Sequence, residues 1–211
     1  MLIPYHRQIL KEALAERFSP RALEAIARAN AKQDYLRGQI GHDEYHFDNN
    51  AIAESYAYIA KNRTEVRSAL QAGDAEAAWA AFGRLSHTAQ DFYAHSNYVP
   101  LWLEKFNGQD APPASEIPHD DAEILHSAAL HSGKLYYPLE LLSFLPLVGK
   151  WVLPRLPKDS HAWMNIDSPK RGKLWAYTFS AAVKVTQEEL QKILAKLSAE
   201  EKKLFFDRSA E

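Results

Sequence analysis

The stretch Ser86-His87-Thr88-Ala89-Gln90-Asp91-Phe92-Tyr93-Ala94-His95 sets two imidazoles and a carboxylate four residues apart. On a helix each step of four turns the side chain by only about 40°, so His87, Asp91 and His95 share one stripe. Nitrogen and oxygen donors in that arrangement suit a borderline cation such as Zn²⁺. The same spacing also fits an Asp hydrogen-bonded to core histidines, or a solvated surface stripe. The other histidines are His6, His42, His46, His119, His126, His131 and His161, most of them near carboxylates. Such a donor set matches hydrolytic metal chemistry, in which a cation acidifies a water and neutralises charge on a phosphoryl oxygen. Cysteine is absent, which excludes thiolate zinc sites, thiol catalysis and disulfides.

These donors must be positioned by helices. Apolar residues recur with helical period over about 4–17, 21–36, 51–71, 75–98, 120–132, 173–196 and 199–207. Ser19-Pro20 restarts the chain between the first two, and Gly38 and Gly41 close the second. Residues 42–50 are polar and turn-like, and the region after Tyr98 is broken by Pro100, Gly108, Pro112, Pro113 and Pro118. No period-2 strand pattern, repeat or low-complexity tract occurs. The fold expected is a single all-α domain over 1–211, a helical bundle in whose core ligands from several helices converge. With 211 residues, 46% hydrophobic and 25% charged, the chain has a globular balance. Its net charge of −2 gives no reason to expect duplex nucleic acid. The N-terminus lacks the basic and apolar regions of a secretory signal, which reads as cytoplasmic unless a leader has been trimmed.

The apolar run from Tyr136 to Leu156 is interrupted by Pro138, Pro146, Lys150, Pro154 and Arg155. It falls short of the roughly 18 uninterrupted apolar residues of a spanning helix, so no transmembrane segment is expected. Residues 137–156 are either a buried helix pair, which their apolar content favours, or a cap or lipid-facing surface anchored by Lys150, Trp151 and Arg155.

Taken together, Gly83-Arg-Leu-Ser-His87-Thr-Ala-Gln-Asp91-Phe-Tyr-Ala-His95-Ser-Asn97-Tyr98 resembles the signature of the zinc-dependent phospholipase C superfamily. It is closest to the branch of the fungal heterokaryon-incompatibility C proteins and their bacterial relatives. The fungal single-strand-specific nucleases are more distant members. His6-Arg-Gln-Ile-Leu-Lys-Glu-Ala-Leu resembles the family's N-terminal His helix, and His46-Phe47-Asp48-Asn49 its His-Phe-Asp segment. Asp159-Ser-His161-Ala-Trp-Met-Asn165-Ile-Asp167-Ser-Pro169 resembles its late His/Asn/Asp motif.

The resemblance implies a helical bundle of phospholipase C type, with one to three Zn²⁺ ions at the base of a cleft and a phosphoester substrate, including phospholipid. It implies that His87 and Asp48 hold one zinc, that Asp91 bridges to a second shared with His6, and that His95 and His161 hold the third position. Asp48 would also be the general base for the attacking water. The pattern departs in three places. No histidine occurs from 47 to 86, where the phospholipases carry a further ligand. Asn165 stands where they carry an acidic one, leaving Asp167 as the nearby carboxylate, and Met1 stands in place of their processed, metal-binding Trp. His42 or His46 is available to complete a reduced site, although histidines in a polar loop are more often exposed. His119, His126 and His131 have no family counterpart and are expected at the surface or behind the ligands. Two functions follow as expectations: a zinc-dependent phosphoesterase, or a non-catalytic metal-stabilised helical module that binds lipid or protein.

Overall fold

In the computed structural model the chain is all-α, described for residues 1–106, 111–143, 145 and 147–208. Gly108 of the irregular stretch and Pro146 of the apolar run lie outside the described residues. The elements are α1 (Ile3–Leu14), α2 (Pro20–Ala31), α3 (Leu36–Gln39), α4 (Asp43–His46), α5 (Ile52–Gln71) and α6 (Ala75–His95). They continue with α7 (Tyr98–Glu104), α8 (Ala122–Leu125), α9 (Leu139–Ser143), α10 (Gly149–Val152), α11 (His161–Met164), α12 (Lys173–Leu194) and α13 (Ala199–Phe206).

Helix α6 is the axis of the molecule, packed by α2, α5 and α12. Every residue from Leu85 to Ser96 is buried. Gly83 permits the close crossing with α2, because a Cβ there would lie 2.4 Å from the Ile26 carbonyl oxygen. Near its start, the fully buried Trp79 donates its indole N–H to the Phe205 carbonyl at 2.7 Å, tying α13 to the core. A helix enclosed on all sides cannot send its polar side chains to water. His87, Gln90, Asp91 and His95 must therefore find partners inside the bundle.

Three boundaries differ from the periodic pattern, each for a local reason. The second helix ends at Ala31, and a 3₁₀ turn at Lys32–Asp34 leads into α3. That turn is closed by Gly38, whose missing Cβ would sit 2.2 Å from the Gln33 carbonyl oxygen. Helix α6 stops at His95 because Ser96 is extended, its hydroxyl donating back to the Phe92 carbonyl. The chain then restarts as α7, with Pro100 in the first turn, where an N–H has no helical partner. The expected 120–132 helix is only the single turn of α8, capped by the Asp121 carboxylate.

The apolar run is not a buried helix pair. Leu141, Leu147 and Trp151 are 60%, 84% and 64% exposed. Its described helical pieces, α9, α10 and the 3₁₀ turn Leu153–Arg155, are single turns, too short to lay a continuous apolar face on the bundle. It is pinned through Glu140, which is buried and accepts the Ala162 N–H at 2.5 Å. No helix among the described residues is long and apolar enough to cross a membrane.

Candidate metal centre

Asp91 is the hub. Its Oδ2 lies 3.0 Å from His87 Nε2 and 3.1 Å from His46 Nδ1, while Oδ1 lies 3.2 Å from His6 Nε2 and 2.6 Å from the Met1 amino nitrogen. Helices α1, α4 and α6 thus meet on one fully buried carboxylate. His46 is in the cluster and not in solvent, because α4 folds its polar loop back over α6. Its Nε2 faces the Gly38 carbonyl at 3.2 Å, and His6 Nδ1 faces Gln90 Oε1 at 2.6 Å. A carbonyl oxygen only accepts, so it can hold the proton of either ring on that side while the opposite nitrogen turns to Asp91 or to a cation. Gln90 is itself oriented by Asn30 of α2 and Thr186 of α12.

Two donor groups form around this hub. His6, Asp34, His87 and Asp91 bring one ligand atom each to within 4.8 Å of one another, and Asp48, His95 and His161 do the same. Asp48 Oδ1 is 3.4 Å from His95 Nδ1 and 3.5 Å from His161 Nδ1. On its other edge His95 Nε2 lies 3.1 Å from Asp167 Oδ1. Asp48 therefore stands with His95 and His161, not with His87 as the resemblance implied. Asn165 is buried and turned to Arg171, whose Nε donates to its side-chain oxygen at 3.1 Å, and Asp167 is the late carboxylate that meets His95. Of the remaining histidines, His42 stacks on Tyr45, His119 pairs with Glu188, and His131 meets Asn97.

Asp34 is the residue that sequence reasoning missed. Its carboxylate lies 3.9 Å from His6 Nε2 and 3.8 Å from His87 Nε2. The available signal was Asn30, a polar residue on the apolar face of α2, with Asp34 four positions on along the same line.

The backbone around Asp48 is held in a rare form. Phe47, Asn49 and Asn50 have φ of 57°, 53° and 59°, the left-handed region. Asn49 donates its N–H to Gly133 O and accepts from Leu135 N, and Asn50 exchanges bonds with Ser132 in the same way. The loop 131–135 in turn binds His95 O through Gly133 N and receives the His161 N–H at Lys134 O. One short loop thereby fixes Asp48, His95 and His161 relative to each other. Strain of this kind persists only where surrounding contacts over-determine it.

Opposite charges face each other in the cluster. Burial opposes ionisation of Asp91, but the Met1 ammonium and the imidazoles of His95, His87 and His6 hold it well below the usual carboxylate range. Burial likewise opposes ionisation of Asp48, and His161, His95 and His46 outweigh it. Burial pushes His87 down to about 4, so it is neutral at physiological pH. The Met1 amine is pushed the other way, to about 11; burial opposes this, and the Asp167, Asp91 and Asp34 carboxylates prevail.

The chemistry of the donors fits a cation. His6 Nε2, Asp34 Oδ2 and Asp48 Oδ1 are buried and make no hydrogen bond among the described residues. In the first group the His–carboxylate distances run from 3.0 to 3.9 Å, near the edge of about 3.3 Å that a tetrahedron has when Zn–ligand bonds are near 2 Å. A cleft of about 410 Å³ opens onto the cluster, lined by Leu2, Asp34, Gln39, His95, His161 and Asp167 among others.

A profile of the VWA7 N-terminal domain family matches residues 6–123, which include every cluster residue except Met1, His161 and Asp167. Human von Willebrand factor A domain-containing protein 7 is 36% identical over 137 residues, covering 65% of this chain and 15% of that protein. The rat protein of the same name is 34% identical over 80 residues, 38% of this chain and 9% of its own length. The chain thus spans a small part of the relatives it matches. No solved structure matches it.

Proposed function

The chain belongs to the VWA7 N-terminal domain family, and we propose that it is a zinc-dependent phosphoesterase with a bundle of phospholipase C type. The observation that carries this reading is the pair of His/Asp donor groups, one of them built on Asp91, that reach an open cleft through Asp34, His95 and His161. His6, Asp34, His87 and Asp91 would hold one cation, and Asp48, His95 and His161 a second, with Asp167 and His46 at their edges. Bound there, a divalent cation supplies the charge that acidifies a water and neutralises a phosphoryl oxygen. Asp48 is ionised and buried beside His95 and His161, and its carboxylate oxygen not taken by the cation would accept the proton of the attacking water. The exposed Leu141, Leu147 and Trp151 support a phospholipid as the phosphodiester.

One observation favours a second reading, a metal-stabilised module that binds without hydrolysis. Asn165, where the resembling enzymes carry an acidic ligand, is tied to Arg171. The experiment is hydrolysis of a soluble phosphodiester and of phospholipid by zinc-loaded protein, beside Asp48→Asn. Activity lost on substitution with the fold intact supports the enzyme. Equal inactivity of both proteins with metal bound supports the module.

A further inference from the structure

The large apolar side chains exposed among the described residues are not scattered. Apart from Tyr56, they are Leu2, then Tyr35, Leu36 and Ile40, then a set within 137–151 that includes Leu141, Leu147 and Trp151. Leu36 and Ile40 are 75% and 64% exposed. Isolated exposed leucines are ordinary, whereas concentration in two stretches marks a docking surface.

Both stretches adjoin the metal centre, and each is tied to it by a carboxylate. Asp34 of the first donor group immediately precedes Tyr35 and Leu36, and Leu2 and Gln39 line the cleft with it. On the other side, Glu140 sits between the exposed Leu139 and Leu141 and accepts the N–H of Ala162, the residue after His161. The second stretch is also basic. Lys150, Arg155 and Lys158 are exposed, Lys134 pairs with Asp159 at 2.9 Å, and the acidic Glu140 is buried. The Lys150 ammonium lies 5.6 Å from the ring centre of Trp151, an aromatic–cation pairing suited to a boundary between headgroups and acyl chains.

We propose that these two stretches form an apolar, basic rim that docks the cleft onto an anionic lipid surface. The inference rests on the metal-site reading for the substrate beneath the rim, but the docking itself needs no turnover. Leucine and tryptophan tips enter the acyl boundary while the lysines and Arg155 meet lipid phosphates. The metal cleft then faces the headgroups.

The test is co-sedimentation of the full chain, as wild type and as Asp48→Asn, with phosphatidylcholine vesicles with and without phosphatidylserine. The double variants Leu36→Asp/Ile40→Asp and Leu147→Glu/Trp151→Glu are measured beside them. Their melting temperatures and zinc content control for folding. Wild type and Asp48→Asn are expected to bind the anionic vesicles equally, more weakly at high salt. Each double variant is expected to bind about tenfold more weakly or worse while melting like wild type. Binding that neither double variant weakens overturns the proposal, as does no binding to either vesicle. A wild type that is a stable dimer in solution, made monomeric by both double variants, also overturns it, because the rim is then a protein interface. Docking without hydrolysis would count against the enzyme alone, and hydrolysis of a soluble diester without docking against the rim alone.

Discussion

The imidazole of His46 stands with Nδ1 3.1 Å from Asp91 Oδ2, 45 positions away in the chain, and with Nε2 on the Gly38 carbonyl. His46 therefore brings a ring nitrogen to the same carboxylate oxygen that faces His87. In a chain with no histidine from 47 to 86, His46 thus adds a third imidazole to those of His6 and His87 on Asp91.

The proposed metal site is assembled only in the folded chain, so chelation is expected to lower the melting temperature of the zinc-loaded protein. Ligand at a hundred times its Kd adds about 2.7 kcal/mol by mass action, a shift of several degrees for a chain of this size. Asp91→Asn is expected to melt at the same temperature with and without chelator. A chelator shift as large in Asp91→Asn as in wild type would remove Asp91 from the hub.

Gly133→Ala is expected to destabilise the fold by about 1–3 kcal/mol, read from the urea midpoint. An added Cβ would sit 2.7 Å from the Cα of His161, and neither atom belongs to a flexible side chain. Zinc affinity is expected to fall with it, since the loop 131–135 holds Asp48, His95 and His161 together. An unchanged midpoint would show that the loop has slack.

Stability of the metal-free protein is expected to peak near pH 6.5. His46 is raised; burial opposes this, but its hydrogen bond to Asp91 and the Asp91 and Asp48 charges outweigh it. That contribution is complete below the ordinary value of 6.5 and is lost as pH climbs through the raised one. His87, lowered to about 4, acts in the opposite sense. Between 6.5 and 4 the unfolded chain takes up a proton that the buried ring refuses, so stability falls with pH. Zinc is expected to flatten the alkaline limb, because metal replaces the His46 proton. Melting curves from pH 4 to 9 with and without zinc check this, and a metal-free curve still rising above pH 8 would contradict it.

Asn165→Asp restores the acidic character of the late motif but is expected not to add a metal ion. Arg171 already grips that side chain and also donates to the Ala162 carbonyl, so a carboxylate there would pair with the guanidinium. Elemental analysis of the variant decides it. A higher zinc content than wild type would show that Arg171 yields.

Much of this was legible in the residue order. Helical periodicity announced the all-α fold, and the four-residue steps from His87 to His95 announced the stripe. What stayed hidden depended on tertiary closure. Asp34 reaches the cluster only because Gly38 lets the chain after α2 fold tightly on Gln33, and His46 is buried only because α4 closes over α6. Apolar content favoured burial of 137–156, yet its described turns are too short to present a face to the bundle. The pairing of Asp48 with His95 and His161 depends on three left-handed residues that no periodicity encodes.

The most direct test of the central claim is the zinc content per chain of protein purified without chelator, beside His87→Ala and Asp91→Ala. At least one tightly held zinc is expected in wild type, with most of it lost in both variants. A wild type that holds no metal after incubation with zinc and dialysis, or variants that hold as much as wild type, would contradict the account.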